Sequence, residues 1–226
     1  MRISMTRSEA IWGNRYLLFQ LIFLPSLISV ALAFLWPSAT ALHLNLICWS
    51  INFCAVMGIF HRFLGNSLKH ALKNPAKILL TAVIGFFAYQ ILSIALSVAL
   101  VLLFPNFFNV NTANIASIAK QNHLLMALGT VVLVPIVEEV FYRGVIFGLM
   151  KRRSTLLAYA LSIVMFCLIH VMGYVGHYTP LHLLICTLQY IPAGIVMAAS
   201  YHYTNNILTP TLIHMTVNAI AMLSMR

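Results

Sequence analysis

Two adjacent carboxylates, Glu138 and Glu139, stand in an apolar stretch that reads PIVEEVFYRG, and Arg143 follows one turn later. An ionised group at membrane depth costs about 2.5–3.5 kcal/mol on insertion scales, so it faces protein or water and is paired. Arg143 lies four residues after Glu139, in the favoured acid-before-base order on one helix face. That spacing ties Glu139 to the arginine. It turns Glu138 roughly 100° away, with no counter-ion from its own helix. Glu138 is therefore the candidate general base, a role that carboxylates in clefts fill. Pro135, one turn earlier, is expected to kink the helix and free a carbonyl, opening space at that depth.

Two of the nine histidines fall in apolar segments downstream of the pair. His170 ends FCLIH, one turn after Phe166. His214 begins HMTVN, with Asn218 four residues on and on the same helix face. With Glu138 they make a set of one carboxylate, two imidazoles and a carboxamide. His43, His61, His70, His123 and His202 lie near span ends or in basic connections, and His177 and His182 flank a turn; no chemical role is read for these. The four cysteines lack C-x-x-C spacing and read as buried small hydrophobes. Neither H-E-x-x-H nor H-x-x-E-H occurs, which argues against a zinc protease. Glu and His within spans also mark proton relays or structural ion pairs, so a non-catalytic immunity, scaffold or transport protein is the alternative reading.

The elements that must position this set are membrane helices. Hydrophobic residues make up 62% of the chain and charged residues 7%, far from the roughly 25% charge of soluble domains. The fold class is all-α, a polytopic transmembrane helix bundle of about seven to eight spans, read as one membrane domain over 1–226. Seven stretches suffice to cross a bilayer: 16–36, 40–60, 78–104, 123–149, 155–173, 181–203 and 207–225. The basic start, followed by a long apolar run, reads as a first span and not a cleaved leader.

Arg2, Arg7 and Arg15 precede the first span; Arg62, Lys69, Lys73 and Lys77 fill the second connection; Lys151, Arg152 and Arg153 fill the fourth. By the positive-inside rule the N-terminus is cytoplasmic. The net charge of +10 is thus a topology signal, and no nucleic acid is expected as partner. The basic segment HRFLGNSLKHALKNPAK is either an amphipathic surface helix or a plain loop. The Asn-rich 105–122 is the longest outer connection. One conflict stands: His214 follows the inner turn TNN closely, whereas Glu138 and His170 lie far from the basic end. Straight perpendicular spans would not bring them level; tilts, the Pro135 kink or a break near Pro210 would be needed.

The motifs E-E-x-x-x-R (138–143), F-x-x-x-H (166–170) and H-x-x-x-N (214–218), in that order on successive segments, resemble the CPBP family. These are intramembrane glutamic endopeptidases that include the CAAX prenyl proteases and the bacterial Abi immunity proteins. The resemblance covers about 120–225. It implies an intramembrane endopeptidase in which Glu138 and His170 activate water, His214 and Asn218 hold the oxyanion, and Glu139 and Arg143 support the site. No metal or other cofactor is implied. The implied partners are the lipid bilayer and a membrane-associated peptide or protein substrate, and the implied location is a bacterial cell membrane.

Overall fold

A computed structural model of the chain describes residues 4–225; Arg2, counted above among the orienting charges, lies outside them. The described residues form an all-α membrane bundle. Helices α1 (Arg7–Ile22) and α2 (Leu24–Leu35) meet at a 50° bend. Pro25 stands in the first turn of α2, where its missing N–H costs nothing but its ring cannot continue the preceding helix. The expected first crossing over 16–36 is therefore a broken one, and it begins earlier, at Arg7. Then follow α3 (Ala41–Ile59), α4 (His61–Lys73), α5 (Pro75–Leu103) and α6 (Val110–Ala119). The span α7 (His123–Met150) carries the acid pair, and α8 (Thr155–Met172) follows it. Helices α9 (Pro180–Leu188) and α10 (Ile191–Thr204) form one span, and α11 (Leu208–Ser224) closes the described chain. Among the described residues five spans are long and apolar enough to cross a membrane, six if the bent pair is counted as one, against the seven stretches expected. On α5 a broad apolar face, including Leu80, Phe87, Ile91 and Leu102, is exposed as a lipid-facing surface.

The basic segment is an amphipathic helix, not a loop. In α4 the residues Phe63, Ser67 and Ala71 recur every fourth position and are buried, while Arg62 and Lys69 are exposed. Its start is pinned by Glu9. One Glu9 oxygen accepts from the Phe63 backbone N–H at 2.8 Å, and the other accepts from Thr6 N–H at 2.8 Å in the capping box of α1. Likewise, 105–122 is not merely a connection: α6 occupies much of it, capped by the Asn109 side chain.

The conflict of depth is resolved by burial of the turn before α11. Asn206 and Ile207 are almost wholly inaccessible, and Asn206 Nδ2 donates to the Ser67 carbonyl of α4 at 2.8 Å. The TNN turn is thus roofed by the amphipathic helix and begins α11 inside the protein. Consequently α11 has 17 residues, about 26 Å at 1.5 Å per residue, shorter than the crossing expected over 207–225.

Pro135 does not break α7. Two π-helical stretches, Leu128–Leu133 and Val140–Phe147, flank the α-helical Val134–Glu139. In the first, the Val134 N–H bonds back to Gly129 O, five residues earlier. The next donor in that register would be Pro135, which has no N–H. π turns are rare and gather at functional sites. Here one of them carries the span through the proline without a break.

Candidate active site

The core of the site is the carboxylate of Glu139, which is fully buried. Its Oε1 accepts from Arg143 Nη1 at 3.0 Å and from His214 Nδ1 at 2.8 Å. One oxygen thus joins α7 to α11. The Arg143 guanidinium is also fully buried. It lies 4.4 Å from the centroid of the Phe166 ring and reaches the Gly194 carbonyl of α10 at 3.5 Å. The i,i+4 pairing of Glu139 with Arg143 expected from spacing is formed, and the arginine also reaches two further helices, α8 and α10.

Glu138 points elsewhere. Its side chain keeps 19% of its surface accessible, and its Oε2 lies 3.9 Å from His214 Nε2. That distance is too long for a hydrogen bond, and this oxygen, itself buried, has no partner. Glu139 Oε2 is likewise without one. His214 therefore stands between the two acids: Nδ1–H is committed to Glu139 and Nε2 faces Glu138. An Nε2–H donor at this place requires the doubly protonated imidazolium.

His170 sits on α8 with its tautomer fixed. Its Nδ1 lies 2.7 Å from the Phe166 carbonyl, which can only accept, so Nδ1 carries the proton and the neutral ring presents a lone pair at Nε2. The ring stacks on Tyr190 at 4.0 Å between centroids and meets Phe166 edge-on at 4.8 Å. Phe166 also meets His214 edge-on at 5.8 Å, so one phenyl ring spaces the two imidazoles. Glu138 and His214 are within electrostatic reach of His170.

Asn218 lies one turn beyond His214 on α11, and its Nδ2 donates to the Thr130 carbonyl at 2.8 Å. Thr130 O is the acceptor that would meet Pro135 in the π register, so Asn218 fills the hydrogen-bond vacancy made by the proline. One of its two amide hydrogens is committed there and the second is not. The described geometry thus brings Arg143, His170 and His214 against Phe166, bonds Glu139 to Arg143 and His214, sets Glu138 beside His214, and holds Asn218 to the backbone of α7. Among the described residues no group of three or more His, Cys, Asp and Glu side chains is arranged to hold a metal ion.

Sequence reasoning missed Tyr190. Its hydroxyl donates to Asn109 Oδ1 at 3.2 Å and accepts from Asn111 Nδ2 at 3.1 Å. Asn109 also donates to Gln189 Oε1 at 2.6 Å, and Tyr174 donates to Asn111 Oδ1 at 3.3 Å. The Asn-rich run before and within α6 is a clamp on the tyrosine that stacks on His170. The signal was an asparagine cluster beside an apolar span, which was read as loop polarity.

Glu138 opens on a cavity of about 260 Å³. Val134, Val137 and Phe141 of α7 line it on one side, and the α1–α2 bend and α3 on the other. In α3 the lining residues Asn45, Cys48, Trp49 and Asn52 recur at i, i+3, i+4 and i+7, one helix face. Gly129 permits this packing, because a Cβ there would overlap the Trp49 ring.

Compared with known families, residues 120–220 match the family described as type II CAAX prenyl endopeptidase Rce1-like. The match contains every motif residue of the site and none of the residues from α1 to α3 that close the cavity. No curated protein and no solved structure matches the chain.

Proposed function

We infer that this integral membrane protein, whose residues 120–220 match the Rce1-like family of type II CAAX prenyl endopeptidases, cleaves a membrane-associated peptide or protein with water activated by Glu138 and His170, without a metal. The observation that carries this reading is the Glu138 carboxylate, held at the wall of a cavity with a buried oxygen that no protein donor meets. The Glu138 carboxylate accepts the one proton that water loses on attack, and the Nε2 lone pair of His170, set by its Nδ1–H bond, accepts a hydrogen bond that orients that water. His214 Nε2–H and the second amide hydrogen of Asn218 are the donors for the oxyanion. Glu139 holds His214 in orientation, and Arg143 neutralises Glu139. The proton taken from water then passes to the leaving amine, which completes hydrolysis. The motif-bearing 120–225 is the catalytic core of a single membrane domain.

We place the protein in a bacterial cell membrane with its N-terminus cytoplasmic. Support for the sidedness comes from the way the basic ends converge. Ser4 and Met5 line one cavity with Lys151, Arg152 and Asn205, while Glu9 joins α1 to α4. One face of the bundle therefore carries all three basic groups.

Peptide-cleavage profiling of the purified protein in detergent, with Glu138→Gln as control, tests the reading. Cleavage by wild type that falls about 100-fold or more in a folded Glu138→Gln protein is expected. Near-normal turnover in that variant, or activity abolished by a chelator and restored by zinc, would overturn the glutamate mechanism.

A further inference from the structure

The cavity facing Glu138 is closed by helices outside the family match, and two of their polar residues lack any protein role. Gln20, at the end of α1, and Asn45, in the second turn of α3, both line it. Neither side chain has a hydrogen-bond partner among the described residues. Asn52, on the same face of α3, is different: its Oδ1 accepts from Tyr16 O–H at 2.8 Å and so serves helix packing. A carboxamide in a membrane span without a partner is costly. Two of them on one cavity, opposite a carboxylate that also lacks a partner, point to a ligand with hydrogen-bonding groups of its own.

We propose that Gln20 and Asn45 hydrogen-bond the backbone of an extended substrate segment and form the binding wall opposite Glu138. This rests on the hydrolase reading above. Each carboxamide offers a donor and an acceptor, the complement of a peptide unit, which has both. Apart from Glu138 the cavity is lined by neutral groups, and Leu21, Pro25, Leu44 and Trp49 supply apolar surface beside the two amides. The segment read here is therefore uncharged, with apolar side chains and free backbone N–H and C=O groups. A helical segment would have spent those groups internally, so it must unwind before it binds.

The test is steady-state cleavage of a neutral peptide substrate by wild type, Gln20→Leu and Asn45→Leu, with a scan of N-methylated backbone positions. Each substitution is expected to raise KM about 3- to 10-fold, the worth of one hydrogen bond, with kcat within about 2-fold. One N-methylation that weakens binding to wild type should cease to matter in Asn45→Leu. Unchanged KM in both folded variants, together with an N-methyl scan that finds no sensitive position, overturns the wall and leaves the hydrolase reading intact. If a Leu variant does not fold, the scan on wild type still decides. Where wild type binds the peptide without turnover, loss of that binding in the Leu variants supports the wall while the hydrolase reading fails. A wild type that neither binds nor cleaves overturns both.

Discussion

Glu9 and Glu138 lie at opposite ends of what a protein does with a buried carboxylate. Glu9, at the basic face, is 4% exposed, and each of its oxygens accepts a backbone N–H, one from the start of α1 and one from the start of α4. Those are orphan donors of helix termini, positive ends that favour an anion. Glu138, at mid-span, has a buried oxygen that nothing in the protein satisfies and a neighbouring imidazole at 3.9 Å. A carboxylate whose acceptors are taken by its own fold is a joint. One at a cavity wall, with a buried oxygen that no protein donor meets, is held for a molecule that the protein does not contain. Glu139 stands between these cases, with Oε1 accepting two hydrogen bonds and Oε2 buried without one.

The widest separation is expected at Glu138. Glu138→Gln should abolish about 99% or more of cleavage and leave thermal stability equal to wild type or higher, since it removes a charge without a bonded partner. His170→Ala and His214→Ala should lose about as much activity. A Glu138→Gln protein that is clearly less stable than wild type would mean that Glu138, like Glu9, is a structural joint, and the comparison would collapse.

Arg143→Ala comes next. It strips Glu139 of its charge partner at full burial and removes the guanidinium that packs on Phe166. Breaking a buried pair costs about 3–5 kcal/mol, so yield and melting temperature should fall together with activity. A variant as stable and active as wild type would mean that Glu139 is not charged in the folded protein.

Glu9→Ala should be milder and purely structural. Loss of a cap costs about 0.5–2 kcal/mol, and the Phe63 N–H would be left unmet inside the protein. Denaturation in detergent should register the loss, while kcat and KM of the protein that remains folded stay at wild-type values. A change in kcat with no change in stability would contradict the division drawn here.

The difference between the two acids also measures what could be read from the chain. The Glu139–Arg143 pair was legible because i,i+4 spacing is local, and so was the membrane-helix class, because composition alone demands lipid; the number of crossings was not, since of seven expected stretches five spans and one bent pair are long and apolar enough and 207–225 yields only a shorter helix. What was not legible involves partners distant in sequence. Glu9 gave no sign of its role, since its acceptor load includes a donor on another helix, at Phe63. The burial of Asn206 under α4 could not be foreseen from TNN, a sequence that reads as a surface turn; that burial is what brings His214 level with Glu139. At Pro135 the expected free carbonyl is found at Thr130, but its partner, Asn218, and the π turn that lets the span continue through the proline were not foreseen.

The smallest effect should come from Tyr190, where the same contrast applies to an aromatic ring. Its hydroxyl is committed to Asn109 and Asn111, as Glu9 is to backbone donors, while its face is stacked on His170 at 4.0 Å. It does not line the cavity at Glu138, so it acts on the reaction only through the imidazole. An aromatic stack is worth about 0.5–1.5 kcal/mol beyond burial, which converts to roughly 2- to 10-fold. Tyr190→Leu should therefore lower kcat by that factor with KM unchanged, because the substrate is bound as before and only the base is less well held. Tyr190→Phe keeps the ring and should retain most of kcat, losing only the clamp from α6. If the Phe variant loses as much as the Leu variant, orientation comes from the asparagine clamp and not from the stack. If KM rises in both while kcat holds, Tyr190 touches substrate and belongs to the wall with Gln20 and Asn45.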